Sequence, residues 1–248
     1  MNWLRIVRAE LRKLTSTKMP LAFLTVFAVI GAATATAVAF GTDMDGSKTF
    51  ISTAADQQSL IAFAANALVI AGLFGAIAVA REYGHGTVVL TFLTTPRRPR
   101  AVLAQIAAAF VAGSVLGLVG AGVSAGSVAA GLAATDYGFM VSAADLTRVL
   151  AASTLAGGAG AVLGAGVGAL VRNTGGAVTG TIVLLVILPP LAVQMVSEAA
   201  SWVPSTLANV VSGVDNATGL GAAIAAIGLW ALIPAVIGLV AVTRRDVV

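Results

Sequence analysis

Residues 81–100 read REYGHGTVVLTFLTTPRRPR and separate two long hydrophobic runs. Gly84 and Gly86 permit a turn, Thr87 is a suitable helix N-cap, and Pro96 ends the apolar run that follows. The stretch therefore predicts a short helix between the two runs. Its four arginines favour the cytoplasmic side of a membrane, because the cytoplasmic loops of membrane proteins are enriched in basic residues.

This short helix would present an apolar surface that no nearby segment of the chain is expected to cover. Its large apolar residues are Val89, Leu90, Phe92 and Leu93. Exposed apolar surface of this extent is typical of a binding site for another protein. The stretch thus predicts a docking loop.

The composition places the chain among integral membrane proteins. Hydrophobic residues make up 58% of the sequence and charged residues only 10%, with a mean hydropathy of +1.00. Soluble domains carry roughly 25% charged residues. The chain has no cysteine, which excludes disulfides and thiolate metal sites.

The apolar runs predict an all-α membrane domain over residues 19–248 with six transmembrane helices. A run of about 20 apolar residues crosses a bilayer. The predicted spans are residues 20–41, 58–80, 101–134, 146–171, 177–196 and 219–242. Span three is longer than a bilayer requires, so it is expected to tilt, extend beyond the membrane or break.

Residues 1–18 predict an amphipathic helix lying in the cytoplasmic interface. Leu4, Val7, Leu11 and Leu14 share one helical face, and basic residues occupy the other positions. The alternative is a basic flank that only sets the topology. A cleaved signal peptide is not expected, because the apolar run after Pro20 exceeds the usual 7–15 residues of such peptides.

The distribution of charge supports six spans with both termini in the cytoplasm. In that topology 12 of the 14 lysines and arginines lie inside, and only Lys48 and Arg148 lie outside. The net charge of +4 is explained by this orientation, and no nucleic-acid partner is predicted. The inside residues are Arg5, Arg8, Arg12, Lys13, Lys18, Arg81, Arg97, Arg98, Arg100, Arg172, Arg244 and Arg245.

The chain contains no G-x-x-x-x-G-K-[ST] motif, so any nucleotide chemistry must belong to another chain. The spans have almost no ionisable residues, which disfavours an ion-coupled carrier. The single histidine, His85, has no companion ligands, and neither a metal site nor a catalytic site is predicted. Glycines at four-residue spacing predict close helix packing, within the bundle or across a dimer, rather than a phosphate-binding loop; they are Gly113, Gly117, Gly160, Gly164 and Gly168.

Two polar residues inside the spans, Asn66 and Gln194, are expected to bond a neighbouring helix or to face a translocation pathway. The pair Pro189-Pro190 predicts a kink or re-entrant turn in span five. Residues 192–211 predict short amphipathic helices at the outer interface, the alternative being an extracellular loop.

The sequence resembles the membrane subunit of a type-2 ABC exporter, a drug- or peptide-export permease of actinobacterial type. The resemblance rests on Glu82-Tyr83-x-x-Gly86-Thr87, the apolar turn 88–93 and Pro96-Arg97-Arg98. The basic N-terminal helix and the six spans also match that family's arrangement.

The resemblance implies a half-transporter in a bacterial cell membrane. Two such subunits, identical or different, would bind two cytoplasmic ATPase subunits, which hold ATP and magnesium, whereas this chain would hold no cofactor. The loop would be a coupling helix that docks into the ATPase. Its expected contact residues are Glu82, Tyr83, Gly86, Thr87, Val89, Phe92, Leu93, Arg97 and Arg98, with the three large apolar ones as a plug and Glu82, Arg97 and Arg98 as polar locks.

Two other functions remain open from the sequence. One is a membrane scaffold or immunity protein without transport activity, and the other is a passive channel or carrier. The docking loop disfavours the passive pore, which has no use for it. An apolar pathway suits an amphiphilic drug-, peptide- or lipid-like substrate.

Overall fold

A computed structural model gives the fold and describes residues 3–44, 46–87 and 98–244, apart from the side chains of residues 64, 65 and 98. Over these ranges the chain forms helices and connecting segments, with no β-strand. The helices are α1 (Trp3–Thr15), α2 (Met19–Phe40), α3 (Ala54–Ala65), α4 (Ala67–Gly84), α5 (Arg98–Leu132), α6 (Ala143–Val171), α7 (Thr174–Ile182), α8 (Leu188–Met195), α9 (Pro204–Ser212) and α10 (Leu220–Arg244). A π-helical turn, Val183–Ile187, joins α7 to α8, and 3-10 turns occupy Thr49–Ile51 and Ser197–Trp202.

The prediction of an all-α membrane protein is confirmed. Six helical segments are long and apolar enough to cross a membrane: Met19–Phe40, Ala54–Gly84, Pro99–Leu132, Ala143–Val171, Thr174–Met195 and Leu220–Arg244. Their bounds lie within a few residues of the predicted spans. The third span is one continuous helix of 35 residues, about 52 Å long at 1.5 Å per residue. It therefore exceeds the roughly 30 Å hydrocarbon core of a bilayer.

The second span differs from the single predicted helix 58–80, because it is broken at Asn66. Asn66 has φ +34° and ψ +38°, a left-handed conformation that ends α3 and precedes α4. Asparagine tolerates this conformation better than most residues. The α3 N-terminus is fixed by a capping box, in which Thr53 and Asp56 bond each other's backbone N–H groups.

The fifth span contains the irregularity that its prolines predict. The π-helical turn Val183–Ile187 comes immediately before α8, whose first turn contains Pro189 and Pro190. Proline has no backbone N–H and its ring displaces the carbonyl one turn earlier, so the wider π turn accommodates both changes. The chain continues as a helix to Met195, without a re-entrant turn at the prolines.

Helix α6 is the centre of the bundle and packs against α4, α5, α7, α9 and α10. Its inner surface is built from alanine and glycine, which allow neighbouring backbones to approach closely. A methyl group on Gly164 would overlap the Gly72 carbonyl oxygen of α4, and one on Gly168 would lie 2.7 Å from the Ala76 carbonyl oxygen.

The other glycines of the predicted set lie at the same helix contacts. A methyl group on Gly160 would overlap the Leu68 carbonyl oxygen of α4. On α5, Gly113 and Gly117 lie directly against the backbone of α6 near Gly157. All five glycines therefore lie at helix contacts inside one chain.

Helix α1 lies against α5 and buries a face that overlaps the predicted stripe, with Leu14 buried and Val7 and Leu11 half-buried. Its buried residues are Ile6, Glu10 and Leu14, whereas Leu4 is 70% exposed. The buried face also includes Glu10, whose carboxylate lies 2.7 Å from Lys13 Nζ.

At the end of the bundle opposite α1, polar side chains form hydrogen bonds between separate segments of the chain. Gln57 is fully buried and bonds the backbone of Ile51, Gly138 and Met140 at 2.9–3.1 Å. The two cations of this end bond carbonyls at helix C-termini. Lys48 donates to Ala39 in α2, and Arg148 donates to Val210 and Val211 in α9.

The segment between spans five and six forms short helices, as residues 192–211 predict. It consists of the 3-10 turn Ser197–Trp202 and α9. Trp230 of α10 donates its indole N–H to the Trp202 carbonyl at 3.0 Å. The segment is thus attached to the last span.

Candidate functional site

The basic residues gather at one end of the bundle, which we call the charged end. It comprises α1, the last turns of α4 and α6, and the first turns of α5. Residues 88–97 connect α4 to α5 here and lie outside the described residues. The predicted contact residues Val89, Phe92, Leu93 and Arg97 belong to that segment. Arg98 begins α5, but its side chain is not described.

Glu82 joins three helices at the charged end. Its Oε1 accepts from Lys13 Nζ of α1 at 2.8 Å, and its Oε2 accepts from Gln105 Nε2 of α5 at 2.6 Å. Lys13 also lies 2.7 Å from Glu10 Oε2, one helical turn earlier on α1. We call these four residues the Glu82 junction. It connects α1 to both helices that flank the predicted docking loop.

The Glu82 junction is largely shielded from water. The side chains of Glu10 and Glu82 are 8% and 13% exposed, and that of Lys13 is 40% exposed. Burial raises the pKa of Glu10 above its usual value, against the opposing effect of the bond from Lys13. Burial alone would lower the pKa of Lys13. The hydrogen bonds and charges of Glu10 and Glu82 outweigh it, so the pKa of Lys13 is raised.

Tyr83 makes a second connection at the charged end. The Arg172 guanidinium lies 5.4 Å from the centre of its ring, within the range of a cation–π interaction. Arg172 follows α6 with φ +57° and donates to the Ala241 carbonyl of α10 at 3.4 Å. The end of α4 is therefore also linked to α6 and α10.

The predicted turn that leads into the docking loop contains a glycine in a left-handed conformation. Helix α4 runs through Gly84, and Gly86 has φ +67°, a conformation that favours glycine. Thr87 Oγ1 donates to the Glu82 carbonyl at 3.3 Å. His85 Nδ1 lies 2.8 Å from the Arg81 carbonyl oxygen, so its ring contacts its own helix.

A shallow groove of about 380 Å³ opens beside this turn. Its walls include Lys13, Ser16 and Thr17 from the end of α1, and Arg81, His85 and Thr87 from the α4 side. Its lining residues include two cations, Lys13 and Arg81, and one carboxylate, Glu82. The groove can therefore accept an acidic group from a partner.

The two polar residues predicted for a pathway lie in different surroundings. Asn66 lines a cavity between α3, α4, α6 and α9, whereas Gln194 is exposed near the end of α8. Within the described ranges, no cluster of three or more His, Asp or Glu residues is arranged to hold a metal ion.

Sequence reasoning missed Gln105 and the position of Glu10. The separation of 69 residues between Lys13 and Glu82 gives no local signal for their contact. The available signal was the three-residue spacing of Glu10 and Lys13, which places the two side chains on one helical face.

Comparisons with known proteins leave the chain without a family assignment. No protein-family model matches it, and no curated protein is significantly similar in sequence.

Proposed function

We propose that this chain is the membrane-spanning subunit of an ATP-driven exporter, and that a separate ATPase docks at the charged end. The observation that carries the proposal is the Glu82 junction, which joins α1, α4 and α5 next to the loop 88–97. A partner that moves this loop would move all three helices together.

The sequence of the loop supports a protein partner for this end. Its apolar residues, among them Phe92 and Leu93, are flanked by arginines on both sides. An apolar plug with a basic rim complements an apolar groove with an acidic rim. The basic groove beside Thr87 extends this rim onto α1.

The bundle supplies a route for movement to spread from the charged end. Helix α4 packs along α6 through glycine contacts, and Tyr83 meets Arg172 at the end of α6. Tightly packed helices move as rigid units. A displacement of the α4 end is therefore transmitted to the centre of the bundle. The substrate class that suits the apolar spans is an amphiphilic drug-, peptide- or lipid-like molecule.

The proposal is tested by isolating the tagged protein from its native membrane in mild detergent and assaying ATP hydrolysis. We expect a soluble subunit with vanadate-sensitive ATPase activity to co-purify. The matched control is the same preparation of Phe92→Asp, which places a charge in the apolar plug and should lose the subunit.

The alternatives give different results in this experiment. If the chain is a scaffold or immunity protein, a partner would co-purify with it but the preparation would not hydrolyse ATP. A passive channel would be recovered alone, and reconstituted vesicles would then leak solute without ATP. Either result would overturn the exporter proposal.

A further inference from the structure

The break in the second span opens a cavity of about 170 Å³ between helices, and its mouth includes the exposed residues Phe63, Asn66 and Ser205. It lies where α3 ends and α4 begins, and α6 and α9 complete its walls. Asn66 is 12 residues from the first residue of α3, which corresponds to about 18 Å along a helix. Irregular backbone at such depth is tolerated only where it is buried in protein or lines a cavity.

The cavity has a polar side built from groups that have no partner among the described residues. Ser153 of α6 is 7% exposed, and its hydroxyl makes no hydrogen bond within the part of the chain that the structure describes. The side-chain amides of Asn66 and Asn209 are also without partners there. Buried polar groups are normally satisfied, so the buried Ser153 hydroxyl indicates a missing partner. Asn66 is exposed and Asn209 is half-buried, and both residues also line the cavity.

The first turn of α4 adds backbone donors to this polar side. The first bond of the helix runs from the Ile70 N–H to the Asn66 carbonyl. Helix geometry leaves the N–H groups of Ala67, Leu68 and Val69 without a partner inside α4, and all three residues line the cavity. The opposite wall is apolar and includes Leu185.

The geometry points to a binding site for a small uncharged amphiphile that carries an amide. The α4 N–H groups and the Ser153 hydroxyl would donate to its carbonyl oxygen, and the side-chain carbonyl oxygens of Asn66 and Asn209 would accept from its N–H groups. Among the described residues, none that lines the cavity is charged, which disfavours an ionic ligand. A cavity of roughly 150 Å³ holds benzene. The apolar part of the ligand is therefore expected to be about the size of a benzene ring.

The absence of native cysteine makes the site directly testable. Ser153→Cys and Ala156→Cys each place one thiol in the cavity wall, and both variants are reconstituted in nanodiscs. Methyl methanethiosulfonate, a small uncharged reagent, is applied with and without benzamide, and modification is followed by mass spectrometry. At a benzamide concentration ten times its dissociation constant, mass action slows the reaction about tenfold.

The matched control is Ser124→Cys, at a serine that is 2% exposed and lies outside the cavity. We expect slow modification there and no protection by benzamide. Adding Asn66→Leu to a cavity-thiol variant should abolish the protection. Unreactive cavity thiols, or reactive thiols that benzamide leaves unprotected, would overturn the site. The readout needs no ATPase, so failure of this site is distinguishable from failure of the exporter proposal.

Discussion

The Lys13 ammonium lies 2.8 Å from Glu82 Oε1 and so joins the first helix to the end of the fourth. It also lies 2.7 Å from Glu10 Oε2. One cation therefore serves two shielded carboxylates. The Glu82 junction therefore depends on Lys13 for the charge that balances both carboxylates.

Lys13→Met should destabilise the protein by about 1–3 kcal/mol, because it leaves Glu10 and Glu82 shielded without their cation. Thermal unfolding in detergent would measure the change. Lys18→Met is the matched control, since Lys18 is exposed at the same end of the bundle. Equal unfolding temperatures for the two variants would contradict the structural role of Lys13.

The stability of the protein should depend on pH through Glu10. Its pKa is raised in the folded state, so the native protein takes up a proton at a higher pH than the unfolded chain. Wild type should therefore gain stability relative to Glu10→Gln as the pH falls from neutral toward 4.5. Below the unfolded pKa the difference becomes constant. The free energy of unfolding of both proteins is measured by chemical denaturation in detergent. A difference between them that does not change with pH across this window would refute the raised pKa of Glu10.

The sequence predicted the spans because length and hydropathy alone decide whether a helix crosses a bilayer. It also predicted the disturbance at Pro189, since proline acts through its own backbone. It did not predict the break at Asn66. An asparagine inside an apolar run is compatible with a continuous helix. The contacts of this region with α6 and α9 join residues far apart in the sequence, so no local pattern predicts the break.

The Glu82 junction shows the same limit at the candidate site. The sequence predicted Glu82 as a polar contact for a partner protein, whereas in the structure both of its oxygens bond residues of this chain. Gln105 gave no signal, because a single glutamine near the start of a span is equally suited to the interface. The residues 88–97, on which partner recognition was predicted, lie outside the described residues.

Gly164→Ala should destabilise the bundle by about 1–3 kcal/mol or more, because the new methyl group would overlap the Gly72 carbonyl and force α4 away from α6. Gly122→Ala is the control. A methyl group there meets no atom within 4 Å, and alanine favours a helix over glycine by roughly 1 kcal/mol. The two variants should therefore shift the unfolding temperature in opposite directions.

Phe92→Asp should abolish binding of the proposed ATPase while leaving the protein inserted, because a charge replaces an apolar plug residue. Co-purification of the ATPase subunit with the tagged membrane protein measures this. Phe139→Asp is the control, since Phe139 is exposed in the connection between α5 and α6, far from the docking loop in sequence. Retained binding by Phe92→Asp would remove the loop from the docking site.

Glu82→Gln should separate docking from transmission. The substitution keeps the size of the side chain but removes the negative charge that pairs with Lys13. It also replaces one carboxylate oxygen, which accepts a hydrogen bond from α1 or α5, with an NH₂ group that can only donate. If Glu82 transmits movement inside the chain, the ATPase should still co-purify, and substrate should no longer stimulate its ATP hydrolysis. Loss of the ATPase would instead assign Glu82 to the partner contact. Full stimulation, with the ATPase bound, would show that the junction stabilises the charged end without coupling it to the loop.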